Sequence, residues 1–189
     1  MLASTSPYRK ALLARLGLPF TQAAPDVDEA PAMTSGRTPF AIARELAEAK
    51  ARAVAAGAPG AHVLGGDQVV DLDGEVLGKP GSEAACIAQL GRLAGRTHRL
   101  LTAMALVGPE GSARVEVHET RLTLRALGQD AIARYVAREK PTDCCGSYRI
   151  EGQGIALFAR IEGEDFTAIE GLALLRLSGW LREAGFRLP

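Results

Sequence analysis

At 189 residues the chain is long enough to bury a large core, and it reads as one domain or two closely joined lobes. Its 22 Lys and Arg balance 22 Asp and Glu, and only 5% of residues are aromatic, which excludes a global field recruiting nucleic acid or anionic membrane. All apolar runs fall well short of the ~20 residues of a membrane span, and Arg9 and Lys10 interrupt the N-terminus before a signal-peptide core can form, so the expected location is the cytoplasm.

Met1 to Ala3 is the stub of an apolar strand. Ser6-Pro7 then gives a hydroxyl cap with proline at the first helical position, and a helix is expected from Tyr8 to Leu16, stopped by Gly17. Ser4, Thr5 and Ser6 supply hydroxyls at its start. Arg9 and Lys10 in the first turn oppose the helix dipole unless an anion is shared between them, so a phosphate site is favoured over a merely capped helix. Phe20 to Ala24 is a short strand. Asp26, Asp28 and Glu29 form an acidic loop, in which one carboxylate could hold a divalent ion through oxygen, although such loops are usually just solvated. Thr38-Pro39 repeats the cap-plus-proline start, and a long helix runs from Phe40 to about Ala56. Lys50 lies next to its apolar face and could point inward, which is rare for a lysine without a partner.

His62 to Pro80 forms the centre of the chain. Gly65 and Gly66 precede a single carboxylate, Asp67, and remove side chains as a closely approaching ligand would require. Asp73-Gly74 signals a tight hairpin, with Glu75 to Leu77 as the return strand leading into Gly78-Lys79-Pro80. The return allows Lys79 to lie near Asp67, a pairing suited to anionic substrates and metal chemistry. A plain surface hairpin with two ordinary charges is the competing reading.

Ser82 caps a helix through about Leu93. Thr97 to Val107 and Arg114 to Leu124 form a long hairpin, expected away from the chemistry. Gln129 to Arg138 is helical, and Gly146 to Gly154 is glycine-rich and carries Glu151. Its spaced glycines are a weak nucleotide-binding signal, since they neither follow a clear strand nor open a helix. Ile155 to Phe158 reads as a strand and Thr167 to about Ala184 as one closing amphipathic helix. Strands and helices alternate around an antiparallel hairpin, so the class is α/β with a mixed sheet. Cys86, Cys144 and Cys145 lack metal spacing and read as small apolar residues in a reducing compartment. His62, His98 and His118 suggest no metal site, and Trp180 reads as core.

Collected together, these stretches resemble the Maf family of nucleoside triphosphate pyrophosphatases. The likeness rests on ASTSPYRKALL, Val27-Asp28-Glu29, Ala47 to Ala51, GGDQVV with GKP, CGSYRIEGQGIALF and IEGEDFTAIEGL, and it spans nearly the whole chain. It implies a single domain over residues 1–189 with a mixed twisted sheet flanked by helices. Two closely joined lobes with a cleft between them would result, as in inosine triphosphatases. The family's active-site residues would fall on Ser6, Arg9, Glu29, Lys50, Asp67 and Lys79, with Lys10 standing where a second arginine is usual. Hydrolysis would release a monophosphate and pyrophosphate, with Mg²⁺ or Mn²⁺ held by Asp67 and Glu29. The family's branches differ at positions that fall here on Tyr8, Gln68 and Glu151, and this combination is similar to the branch acting on 7-methyl-GTP. A cationic methylated guanine would favour stacking on Tyr8, and Glu151 could accept from the guanine N1 and N2 edge. Two rivals remain: a nucleotide-binding cell-division regulator without turnover, and a pyrophosphatase of the dTTP/UTP branch. The partner is a nucleoside triphosphate, with neither nucleic acid nor membrane expected, and a homodimer is the base-rate expectation.

Overall fold

A computed structural model describes residues 1–33 and 36–188. The chain divides into two compact units, the first Met1–Gln68, Thr102–His118 and Asp165–Pro189, the second Val69–Leu101 and Glu119–Glu164. The strands are β1 (Leu2–Ala3), β2 (Gln22–Ala23), β3 (Val63–Leu72), β4 (Glu75–Leu77), β5 (Thr97–Val107), β6 (Ala113–Leu124) and β7 (Phe158–Glu162). They form a seven-stranded sheet of order β2-β1-β3-β5-β6-β7, with β4 paired to β3 off this path. β1 pairs in parallel with β2 and β3, whereas β3–β4 and β6–β7 are antiparallel. The expected mixed α/β sheet is therefore present.

In the first unit, α1 (Pro7–Ala14), α2 (Ala30–Met33) and α3 (Pro39–Ala55) precede β3. Local chemistry sets their starts: the Ser6 and Thr38 hydroxyls accept from the backbone N–H groups of Arg9 and Ala41, and proline follows each cap. Leu12 and Leu13 of α1 pack with Leu64, Met104, Leu172 and Trp180 into one buried cluster. The closing segment is not the single expected helix. It is α6 (Thr167–Glu170) and α7 (Leu174–Glu183), separated at Gly171, whose φ of 122° lies where glycine is favoured.

The second unit carries α4 (Glu83–Leu93) and α5 (Gln129–Glu139), which pack together. The hairpin turn after β3 has Asp73 at φ 54° and Gly74 at φ 90°, the backbone a two-residue Asp-Gly connection demands. Asp71, 1% exposed, braces it by accepting from the Gly74 N–H at 2.7 Å and pairing with Arg99. The strand expected at Ile155 to Phe158 is instead a 3₁₀ turn over Gln153–Leu157, and β7 begins only at Phe158. Tyr148 is buried between His98, which it meets through a 3.0 Å hydrogen bond, and the edge-on ring of Phe158. Burial lowers the His98 pKa to about 4. Among the described residues no helix is long and apolar enough to cross a membrane.

Candidate active site

The first unit brings three of the expected residues into direct contact. The Lys50 ammonium lies 2.6 Å from Asp67 Oδ1 and 2.7 Å from Glu29 Oε1. Asp67 and Lys50 are 6% and 8% exposed, whereas Glu29, in the loop before α2, is exposed. Lys50 therefore does point inward, and the partners its burial requires are the two acids. The glycine pair before Asp67 explains how this comes about. A Cβ on Gly65 would stand 2.5 Å from the Ala47 carbonyl oxygen and 2.7 Å from the Ala51 nitrogen. What approaches Gly65 is thus the α3 backbone and not a ligand. That approach seats the turn of α3 bearing Lys50 against β3, two residues before Asp67. Gly66 instead faces Arg9, whose Nε is 3.3 Å from where its Cβ would be.

Arg9 donates Nε–H to the Gly171 carbonyl at 3.3 Å. Burial pushes the Asp67 pKa up, against the lowering influence of Lys50 and Arg9, while Glu29 raises it further. The desolvation of Asp67 thus outweighs the two nearby cations. The oxygen donors of Asp67 and Glu29 suit Mg²⁺ or Mn²⁺, which take one or two protein carboxylates together with substrate phosphates. Among the described residues there is no group of three or more His, Cys, Asp or Glu able to enclose a metal alone.

Backbone amides at the start of α1 are largely engaged. Pro7 has no N–H, the Arg9 N–H is held by Ser6 Oγ, the Lys10 N–H by the Ser6 carbonyl, and the Ser6 N–H by Ser4 Oγ. Anion binding there rests on side chains more than on backbone. Lys10 is exposed and borders a hollow of about 640 Å³ with Ala11, Ala14, Leu18 and Phe20, none of them a candidate residue. Tyr8 is half-buried in the same first turn.

Gln68, the residue after Asp67, is held firmly. Its Nε2 donates to Thr102 Oγ1 at 3.0 Å, the Ala168 carbonyl at 2.9 Å and the Ile169 carbonyl at 3.1 Å. Thr102 lies in β5, so part of that hairpin supports a candidate site residue instead of lying apart from the chemistry. Asp165 and Thr167 hold the segment that supplies the carbonyls: Asp165 accepts from Thr167 N–H and O–H through Oδ1 and from Leu175 N–H through Oδ2, and Thr167 Oγ1 accepts from Leu174 N–H. The sequence reading missed these residues. Their signals were a lone hydroxyl in the apolar run LLTAMALV, and an Asp-x-Thr turn pattern just before α6.

Lys79 and Glu151 belong to the second unit. Lys79 is exposed, just beyond the β3–β4 ladder, which ends at Val70–Leu77. Its loop is tied down by polar groups, with the buried Ser147 Oγ donating to Gln89 Oε1 at 2.6 Å and Gln89 Nε2 donating to the Gly78 carbonyl at 3.1 Å. Glu151 is exposed at the tip of a tight reversal from Arg149 to Gly154. Both Gly152 N–H and Gly154 N–H return to the Arg149 carbonyl, and Glu139 takes the Arg149 guanidinium and the Gln153 N–H. A Cβ on Gly154 would sit 2.2 Å from the Arg149 carbonyl oxygen. The glycines here serve this reversal.

A relative from Xanthomonas oryzae pv. oryzae, named 7-methyl-GTP pyrophosphatase, is 52% identical over 192 residues, covering 100% of this chain and 98% of its own. Relatives of the same name from Albidiferax ferrireducens and Cupriavidus metallidurans are 46% and 44% identical, covering 100% and 98% of this chain and 94% and 93% of theirs. A crystal structure of a nucleoside-triphosphatase / dITP/XTP pyrophosphatase from Mycobacterium abscessus is more distant, with 23% identity and a TM-score of 0.46 over 67% of this chain and 72% of that one. The family model described as Maf-like protein matches residues 1–184. With relatives near half identity along its full length, the chain belongs to the Maf family.

Proposed function

We propose that the protein hydrolyses the α–β phosphate bond of a nucleoside triphosphate, releasing a monophosphate and pyrophosphate, with 7-methyl-GTP as its preferred substrate. The observation that carries this reading is the Glu29–Lys50–Asp67 cluster, in which Lys50 and Asp67 are buried. A pure nucleotide binder gains nothing from two acids near anionic phosphates, whereas a hydrolase needs a group to receive the proton of the attacking water. Asp67 suits that task because burial makes its carboxylate a better base than an ordinary one. Its Oδ1 is held by Lys50, which leaves Oδ2 to orient water and take the proton.

The phosphate chain requires positive charge in the transition state. Arg9 supplies it from a guanidinium anchored through Nε to Gly171, and Lys50 supplies it from between the acids. Ser6 and Lys10 extend phosphate binding along the start of α1, and Lys79 is assigned to the same work. Asp67 and Glu29 would hold a divalent cation such as Mg²⁺ or Mn²⁺, which would supply further neutralisation of the phosphates. For the base, Tyr8 offers a face to a cationic methylated guanine, with Gln68 and Glu151 as polar readers of its edge. Relatives bearing the 7-methyl-GTP name across full-length alignments support this choice.

The test is pyrophosphate release by the purified protein from 7-methyl-GTP, GTP, dTTP and UTP, with Mg²⁺ and with Mn²⁺. The highest kcat/KM is expected for 7-methyl-GTP. Preference for dTTP or UTP refutes the base assignment alone, and saturable binding without turnover under either metal refutes the hydrolase.

A further inference from the structure

We infer that Gln89, braced by Ser147, is a positioning residue that fixes the stretch of backbone carrying Lys79. The functional consequence rests on the assignment of Lys79 to phosphate made above, whereas the geometry stands on hydrogen bonds within the second unit. Gln89, half-buried in α4, donates from Nε2 to the Gly78 carbonyl at 3.1 Å. That carbonyl shares a peptide plane with the Lys79 N–H, so holding it orients the peptide that enters Lys79. On the far side the Gly81 N–H donates to the Thr142 carbonyl at 2.9 Å, which orients the peptide that leaves Pro80. Only the Lys79–Pro80 peptide lies between these two. The proline ring holds its own φ near about −65° and keeps the residue before it extended. The backbone on both sides of Lys79 is thus constrained, and its side chain is left to adjust.

Ser147 gives this bracing its second observation. It is fully buried, and its Oγ donates to Gln89 Oε1 at 2.6 Å, so both ends of the Gln89 carboxamide are engaged. Ser147 stands at φ 61°, next to Gly146 at φ 77°. Glycine adopts this left-handed backbone readily, whereas serine is strained there. A turn that needed only its shape would be better served by a second glycine. What serine adds at that position is a hydroxyl, and the hydroxyl goes to Gln89. Backbone strain retained in order to hold a polar group is a mark of functional positioning. A lysine that meets phosphate charge in a transition state gains from a backbone already fixed before the substrate arrives.

The experiment uses substitutions that separate the links. Gln89→Met keeps the length and loses both hydrogen bonds. Gln89→Glu keeps an acceptor for Ser147 but has no donor for the Gly78 carbonyl, and Ser147→Gly relieves the backbone while removing the hydroxyl. Each is made in wild type and in Lys79→Ala, with Tm, hydrogen exchange of the Gly81 N–H, and kcat and KM for each accepted triphosphate as readouts. Gln89→Met and Gln89→Glu should both speed Gly81 exchange. They should lower kcat/KM by about three- to tenfold, the scale of one net hydrogen bond, chiefly through kcat and by the same factor for every nucleotide. Ser147→Gly should give a smaller loss in the same direction at a nearly unchanged Tm. In the Lys79→Ala background none of these substitutions should lower kcat/KM further. Unchanged Gly81 exchange in Gln89→Met and Gln89→Glu, or an undiminished kinetic loss in the Lys79→Ala background, overturns the inference. Gly81 exchange that depends on Gln89, with full turnover in Lys79→Ala itself, refutes the assignment of Lys79 to phosphate and supports the fixed backbone.

Discussion

Replacing Lys50 by methionine separates its two assigned tasks, holding Asp67 charged and neutralising phosphate. Methionine keeps the apolar stem and length but removes the ammonium 2.6 Å from Asp67 Oδ1. Asp67 is 6% exposed and already raised by burial, with Lys50 the largest influence acting the other way. Two unit charges about 4 Å apart interact by roughly 4 kcal/mol at an effective permittivity near 20, so the ammonium favours the charged carboxylate. The sign follows directly. Asp67 must be ionised to take a proton, so activity falls as pH drops through its folded pKa. Removing Lys50 raises that pKa, so the acid limb of kcat/KM should move to higher pH. The plateau should also drop about 10²-fold, the scale of one lost electrostatic contact in a transition state. The assay is the full pH profile of kcat/KM for wild type and Lys50→Met, with Asp67→Asn as the variant that has no such limb. A plateau that falls while the acid limb stays in place would show that Lys50 acts on phosphate alone, and that its contact with Asp67 does not tune the base.

Gly65→Ala should destabilise the fold by about 1–3 kcal/mol, the cost of forcing a methyl into a filled contact, read as a lower Tm; an unchanged Tm would refute the close α3 approach. Arg9→Ala should reduce kcat/KM for every accepted triphosphate by a similar factor, and a loss confined to one base would place Arg9 in the base pocket. Tyr8→Arg, Gln68→Thr and Glu151→Gln together should shift preference from 7-methyl-GTP toward dTTP or UTP, measured as the ratio of kcat/KM values. His98, held neutral with a pKa of about 4, takes up its proton in the unfolded chain first. Stability should therefore fall between roughly pH 6.5 and 4, and urea unfolding of His98→Gln should lack this share of the acid loss.

What the sequence revealed was local. Ser6, Thr38 and Ser82 announce helix starts through their side chains, and each does accept the N–H three residues on. Asp73-Gly74 announces its turn because few residue pairs tolerate two positive φ values. Lys50 was conspicuous beside an apolar helical face, and burial converted that oddity into contact with Asp67 and Glu29. What stayed hidden depends on partners distant in the chain. Gly65 looked like a gap for a ligand because Ala47 and Ala51 become its neighbours only when α3 lies on β3. The break at Gly171 was invisible in an apolar periodicity that runs through it, since Thr167 and Asp165 supply the caps from before the break. The 3₁₀ turn over Gln153–Leu157 likewise follows from the reversal at Arg149, which competes with the β propensity of Ile155.

The six residues from Phe166 to Gly171 have a consequence for attempts to redesign this protein. Ala168 and Ile169 lend their carbonyls to Gln68, and Gly171 lends its own to Arg9. One short stretch of main chain thus underwrites both the residue proposed to grip phosphate and the residue proposed to inspect the base. A library that varies Gln68 alone removes an NH₂ group answering three acceptors, and a threonine there returns a single O–H. The Ala168 carbonyl would keep the Gly171 N–H and the Thr102 O–H, but the Ile169 carbonyl would lose its Gln68 donor on a segment that also steers Arg9, so a change meant for nucleobase choice would surface as poorer turnover of every nucleotide. Libraries that vary Thr102 alongside Gln68 give that segment a way to re-pair, and they are where altered selectivity with retained speed should be sought.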